Sequence, residues 1–162
     1  MKIPRSLFKE GIDLCKKNIL DYLTEAKIIA QKAFLPHAYV LVQFAIEELG
    51  KIKLLQDKLE ESNNDPVEIH FKKEFGNHEV KHKKALEMLG KTSLWIRKGP
   101  FNPATLNHKT FDVGKEASPE TKLSFSYVGF SEKRQKWYIG GEVSKSDLYA
   151  LIQEIEETTL AL

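Results

Sequence analysis

Apolar residues recur at steps of three and four from Phe8 to Ala33, at Phe8, Ile12, Cys15, Ile19, Tyr22, Leu23, Ala26, Ala30 and Ala33. That period predicts one long amphipathic helix with Ser6 as its N-cap. Pro36 punctuates the chain, and a second stripe runs to about Glu61 through Ala38, Leu41, Val42, Ala45, Ile46, Leu49, Ile52, Leu55 and Leu59. Tyr39, Val40 and Phe44 make the first half of this helix apolar nearly all round, as expected of a helix buried against several neighbours or at a subunit interface. Gly50 stands inside it, at a cost of about 1 kcal/mol relative to alanine, and points to a tight helix crossing.

Ser62-Asn63-Asn64 reads as a loop. Asp65-Pro66-Val67-Glu68 has the form of a helix start, with a capping residue, a proline at the first helical position and a carboxylate at the third, so a third helix is expected from about Pro66. Gly76-Asn77 either ends that helix and caps a fourth, from His78 to about Leu89, or interrupts one longer helix; the pattern fits both. Gly90 to Pro119 is punctuated by glycine and proline and reads as a long loop. Leu123, Phe125 and Tyr127 then alternate with serines, and Gln135 to Ile139 offers a partner strand, which predicts a β-hairpin. Ser144 and Asp147 open a last helix with Leu148, Leu151, Ile152 and Ile155 on one face.

The expected fold is mainly α: an antiparallel helical bundle with a small C-terminal β-hairpin and a final helix. A single domain is expected over 1–162, with its helical core over 1–98, a loop over 99–118, and the hairpin and last helix over 119–162.

The 162 residues are 41% hydrophobic and 30% charged, enough apolar side chain to bury a core, and the net charge of +2 gives no bulk attraction to nucleic acid. The near-neutral total hides an asymmetry, because residues 66–98 sum to +4 and residues 142–162 to −4. The lone Cys15 excludes an internal disulfide and a Cys-rich zinc site, and its place on the apolar stripe reads as core. No run of 18 apolar residues and no signal-like apolar core are present, so a soluble, cytoplasmic protein without a membrane partner is expected.

Three constellations can carry chemistry. His78-Glu79-Val80-Lys81-His82 matches H-E-x-x-H, in which two histidines one turn apart bind zinc and the glutamate activates water. Lys81, Lys83 and Lys84 crowd that motif with ammonium charge, and no third ligand is marked out among Glu87, His108 and Glu116. Second, Glu47, Glu48 and Lys51 interrupt the apolar helix. Glu47 and Lys51 have the i,i+4 order of a solvated helix ion pair, while their apolar surroundings and Gly50 suggest a partly buried polar network. Third, Lys72, Lys73, Lys81, Lys83 and Lys84 stand among His70, His78 and His82. If Gly76 breaks the helix, His78 lies at a helix N-terminus, where phosphate binds, and a histidine there can act as general acid or base on a ribose 2′-hydroxyl without a metal.

The ordered pair Phe44-Ala45-Ile46-Glu47-Glu48-Leu49-Gly50-Lys51 and Phe71-Lys72-Lys73-Glu74-Phe75-Gly76-Asn77-His78-Glu79-Val80-Lys81 resembles the abortive-infection AbiV family, with its apolar-E-E-x-G-K helix and aromatic-basic segment leading to H-x-x-K. The resemblance is firm over about residues 20 to 90 and looser after 119. It implies a bacterial phage-defence protein with a HEPN-like helical fold, a superfamily rich in dimeric, metal-independent endoribonucleases. Glu47, Glu48, Gly50, Lys51, His78 and Lys81 are the matching motif positions, and His82 has no counterpart. One departure stands out: HEPN ribonucleases usually carry an arginine four to six residues before the catalytic histidine, whereas here the arginines are Arg5, Arg97 and Arg134. Lys72 and Lys73 occupy suitable positions, but lysine is a point charge without arginine's bidentate fork.

The leading expectation is therefore a HEPN-like defence protein acting on RNA or translation as a homodimer, without a cofactor. His78 is its general acid/base, Lys81 and Lys73 meet phosphate, and Glu47, Glu48 and Lys51 orient the site, with Lys72, His82 and Lys83 as further RNA contacts. A non-enzymatic module that binds a phage or host protein is the alternative, and a zinc hydrolase using His78 and His82 is the lesser one.

Overall fold

The computed structural model describes residues 2–62, 65–89, 129–131, 136–138 and 145–162. Two 27-residue helices, α1 (Arg5–Gln31) and α2 (Leu35–Glu61), form an antiparallel hairpin joined by residues 32–34. Each is about 40 Å long at a rise of 1.5 Å per residue. The predicted stripe of α1 is buried at Phe8, Cys15, Ile19, Leu23, Ala26 and Ala30. Ala33 falls outside it, exposed and with φ 65°, because the chain turns there before Pro36 enters the first turn of α2.

Ser6 is not the cap of α1. Pro4 holds that position without a side-chain hydrogen bond, and the helix start is fixed by Arg5 instead. The Arg5 backbone N–H donates to Asp65 Oδ1 (3.0 Å), and its guanidinium donates to the carbonyls of Leu59 (3.0 Å) and Ser62. Those carbonyls close the C-terminal end of α2, where no intrahelical donor remains. One side chain thus ties the beginning of one long helix to the end of the other.

Residues 65–68 do not start a helix. The Asp65–Pro66 bond is cis, and β2 (Val67–Glu68) pairs antiparallel with β1 (Lys2–Ile3), Ile3 opposite Val67. Val67 and Ile69 bury with Phe8 and Leu55 in a small second core. Their two-residue alternation suits a strand, and this tertiary burial outweighs the local helix-start signal. Helix α3 is only Phe71–Glu74, and Gly76-Asn77 is a true break. A side chain at Gly76 would meet the Lys72 carbonyl oxygen at 2.6 Å, so the reversal there requires glycine.

Helix α4 (His78–Met88) packs on α2. The last helix, α5 (Lys145–Leu160), packs on α1 and α2 through Leu148, Leu151, Ile152 and Ile155, as its periodicity predicts. A Lys27–Glu156 ion pair at 2.7 Å links α5 to α1. With α1, α4 and α5 around it, α2 buries six consecutive residues, 45–50, at its middle, whereas Val40 is half-buried and Phe44 exposed. A two-stranded hairpin, β3 (Gly129–Ser131) and β4 (Lys136–Tyr138), sets Phe130 opposite Trp137. The predicted loop over 99–118, the predicted first strand over 123–127 and Ser144 lie outside the described residues. The molecule is mainly helical with a small hairpin and a C-terminal helix, and among the described residues no helix is long and apolar enough to cross a membrane.

Candidate functional site

The crossing of α2 and α4 builds the site. An added Cβ at Gly50 would lie 1.9 Å from the Lys81 carbonyl oxygen, so the two backbones meet with no side chain between them. This close approach brings Glu47, on the turn of α2 before Gly50, against the first turn of α4. Glu47 Oε2 accepts from Lys81 Nζ at 2.7 Å and from His78 Nδ1 at 2.8 Å. His82 Nε2 stands 3.6 Å from Glu47 Oε1.

Burial differs sharply along this row. Glu47 and Lys81 are buried and His82 is 1% exposed, whereas the His78 side chain is 41% exposed. A buried carboxylate needs a cation and hydrogen bonds to offset lost hydration, and Lys81 provides that charge from the neighbouring helix. Burial pulls the Lys81 ammonium below its usual pKa and the Lys51 charge adds to the shift. Burial also lowers the His78 pKa, followed by the charges of Lys81 and Lys51. These effects favour the neutral ring, and the nearby Glu47 Oε2 is shared with Lys81. An ionised carboxylate only accepts, so the proton sits on Nδ1 and the lone pair on Nε2.

His82 is pushed down to about 3 by burial, then by Lys81 and His78. It is therefore a neutral core residue with no hydrogen-bond partner for either ring nitrogen among the described residues, and it does not face RNA as the sequence reading expected. Lys81 likewise turns inward, to Glu47. The expected Glu47–Lys51 pair does not form; Lys51 binds Glu48 Oε1 at 2.6 Å, one turn back on the same helix. The Cys15 thiol is pushed up to about 12 by burial first and the nearby Glu48 charge second.

The break at Gly76-Asn77 puts His78 at the start of α4. Asn77 Oδ1 accepts from the backbone N–H groups of Glu79 (3.0 Å) and Val80 (3.4 Å), so the side-chain cap already uses two of the donors that a phosphate would take. The cationic surface beside His78 comes from elsewhere. Lys72 and Lys73 on α3 join Gly76, Asn77, His78 and Glu79 in lining an open cavity of about 570 Å³. Lys83 is exposed, and Lys84 is held by Asp57 (2.7 Å) and Glu87 (3.0 Å).

As a metal site the H-E-x-x-H pattern has the wrong surroundings. Its Glu79 is exposed, and the Lys81 ammonium already holds the carboxylate nearest both histidines. Among the described residues no cluster of three His, Cys, Asp or Glu side chains is disposed to hold a metal ion.

Helix order, the E-E-x-G-K turn on α2 and the H-x-x-K turn on α4 now converge on one carboxylate. The profile of HEPN-type AbiV proteins matches residues 7–160, nearly the whole chain. The chain belongs to the AbiV family. It is thus an abortive-infection protein of HEPN type, and Glu47, Gly50, His78 and Lys81, four of the positions that carry the resemblance, meet at the α2–α4 crossing. Searches of curated proteins and of solved structures returned no match.

The sequence marked Glu47, His78 and Lys81 but not their mutual contact. The signal available was Gly50: a glycine that admits another backbone one turn after a buried glutamate implies that the arriving helix supplies its cation. Among the described residues no arginine stands next to His78. Arg5 is engaged at the end of α2, and Arg97 and Arg134 lie outside the described residues.

Proposed function

We propose that this AbiV protein acts on RNA as a metal-independent endoribonuclease, with His78 as its general acid/base. The observation that supports this most is the 2.8 Å contact of His78 Nδ1 with Glu47 Oε2, which fixes the ring and leaves Nε2 as the basic nitrogen of a partly exposed side chain. In this reading Nε2 takes the proton of a ribose 2′-hydroxyl. The 2′-oxygen attacks the adjacent phosphorus, the bond to the 5′-oxygen breaks, and that oxygen takes a proton from solvent. The products are a 2′,3′-cyclic phosphate and a 5′-hydroxyl.

Lys72 and Lys73 carry the phosphate charge in place of the usual arginine, at a cost in positioning because an ammonium lacks the planar fork. Lys81 keeps Glu47 ionised, Glu47 holds the His78 tautomer, and Glu48 with Lys51 supports that turn of α2. Packing of α5 on α1 and α2 supports a single domain over 1–162. A homodimer in the cytoplasm completes the reading, with exposed Phe34 as an apolar side chain for a second copy to cover.

The test is cleavage of total bacterial RNA by purified protein in excess EDTA. Cleavage leaving cyclic-phosphate ends, absent from His78→Ala of unchanged helical content, is the expected result. RNA that stays intact under every condition, or a variant that still cuts, overturns the assignment.

A further inference from the structure

A second cavity lies on the other side of α3. Its volume is about 550 Å³, and Leu7, Gly11, Leu55, Phe71 and Phe75 supply an almost wholly apolar wall, with Lys51 as its charged member. That volume is within the range of about 300–1,000 Å³ typical of small-molecule sites, and the lining has their usual character of aromatic walls with few polar groups. Phe71 and Phe75 stand 5.1 Å apart with their rings inclined at 35°, and Phe71 is 46% exposed, so aromatic surface of the pair is accessible to a ligand.

The position of this pocket argues for one kind of occupant. Helix α3 gives Lys72 and Lys73 to the cavity of His78 and gives Phe71 to the apolar one, Phe75 following one residue beyond its end, so a four-residue turn separates the two. Lys51 lines the apolar pocket, and its charge also acts on His78, which lines the other cavity. A ligand spanning both would set negative charge against Lys72 and Lys73 and a flat apolar group against the aromatic wall. A nucleotide has that form: the phosphate meets Lys72 and Lys73, and the base stacks on the aromatic wall. The Lys51 ammonium gives one of its three donors to Glu48 and has others for the edge of a base.

We propose that the Phe71–Phe75 pocket binds the nucleobase next to the phosphate held beside His78, so that the protein takes unpaired RNA with one base turned out of the stack. This rests on the reading of the α2–α4 site as an RNA site. A base within a duplex cannot reach the pocket without unpairing, so single-stranded segments are the substrate class.

The experiment uses the full chain in the cleavage-dead His78→Ala background and single-stranded ten-residue oligoribonucleotides carrying 2-aminopurine or an abasic nucleotide at each position in turn. The expected result is quenching of 2-aminopurine at one position and a loss of affinity of about tenfold or more when that position is abasic. Phe71→Ala should lose the same factor and then be indifferent to the abasic site. Gly11→Leu gives a second route, because it fills the pocket from α1, where a Cβ meets only the Leu55 methyl at 3.3 Å. Melting temperatures near the parent's confirm that both variants fold. Binding that is indifferent to every abasic position and to both substitutions overturns the base pocket while leaving the RNA reading in place. Failure of the unsubstituted protein to bind or cut any oligonucleotide overturns both.

Discussion

Gly50 and Lys81 touch through their backbones, with room for nothing larger than hydrogen between them: a Cβ at Gly50 would sit 1.9 Å from the Lys81 carbonyl oxygen. The obstructing atom belongs to a helix backbone and cannot rotate away, so Gly50→Ala must push α4 off α2. We expect a loss of at least about 2–3 kcal/mol, read as a fall in the urea midpoint, and a separation of Glu47 from His78. A variant as stable as the parent would show that the helices do not cross there.

Glu47 and Lys81 form a buried pair whose members need each other. Removing the cation alone, in Lys81→Met, takes the buried ammonium from a carboxylate that keeps its His78 contact and should cost about 3 kcal/mol. The double variant Glu47→Gln/Lys81→Met should recover part of that loss. A double-mutant cycle by urea denaturation measures the coupling, and additive costs would contradict the pairing.

His82 makes the fold sensitive to acid. Its pKa in the folded protein is about 3, against 6.5 for an unperturbed histidine. Below pH 6.5 the unfolded chain takes up a proton that the folded one refuses, so stability is full above that pH and falls towards pH 3. The contribution approaches about 1.4 kcal/mol per pH unit for one proton. His82→Gln should flatten the dependence of stability on pH between 6 and 4, and an unchanged slope would remove His82 as its source.

Cys15 is inert by the same physics. Burial and Glu48 hold its thiol at about 12, so almost no thiolate exists at pH 8. A disulfide reagent such as DTNB should label native protein orders of magnitude more slowly than protein in 8 M urea; rapid labelling of the native state would contradict its burial.

The proton acceptor assigned to His78 carries its own pH signature. Its pKa lies below the ordinary 6.5 because of burial and then the charges of Lys81 and Lys51. Cleavage should therefore be level through neutral pH and decline only below 6.5, with Lys51→Met moving the midpoint upward. A midpoint above 7 would contradict a neutral, Nδ1-protonated ring.

The helical architecture was legible because its signals repeat. The stripes of α1, α2 and α5 each supply several apolar residues at one period, and Gly50 announced the crossing. What escaped was non-local. Asp65-Pro66 looks like a helix start, and only the pairing of Ile3 with Val67, more than sixty residues apart, makes it a strand. Likewise Glu47 and Lys51 satisfy the i,i+4 rule, but a carboxylate facing α4 takes the cation of α4, leaving Lys51 to Glu48. His82 belongs to a surface-looking basic run and is buried because it lies on the face of α4 that meets α2. Spacing along one helix reports neighbours on that helix; it is silent about which face a partner covers.

The central claim is that Glu47 and His78 act as one catalytic unit on RNA without a metal. Single-turnover cleavage rates in excess EDTA for the parent, Glu47→Gln, His78→Ala and the double variant test it most directly. We expect a large loss for His78→Ala, a smaller loss for Glu47→Gln, and a double variant no slower than His78→Ala alone, since the carboxylate acts only through the imidazole. Independent, multiplying losses, or a His78→Ala protein that cuts as fast as the parent, would contradict it.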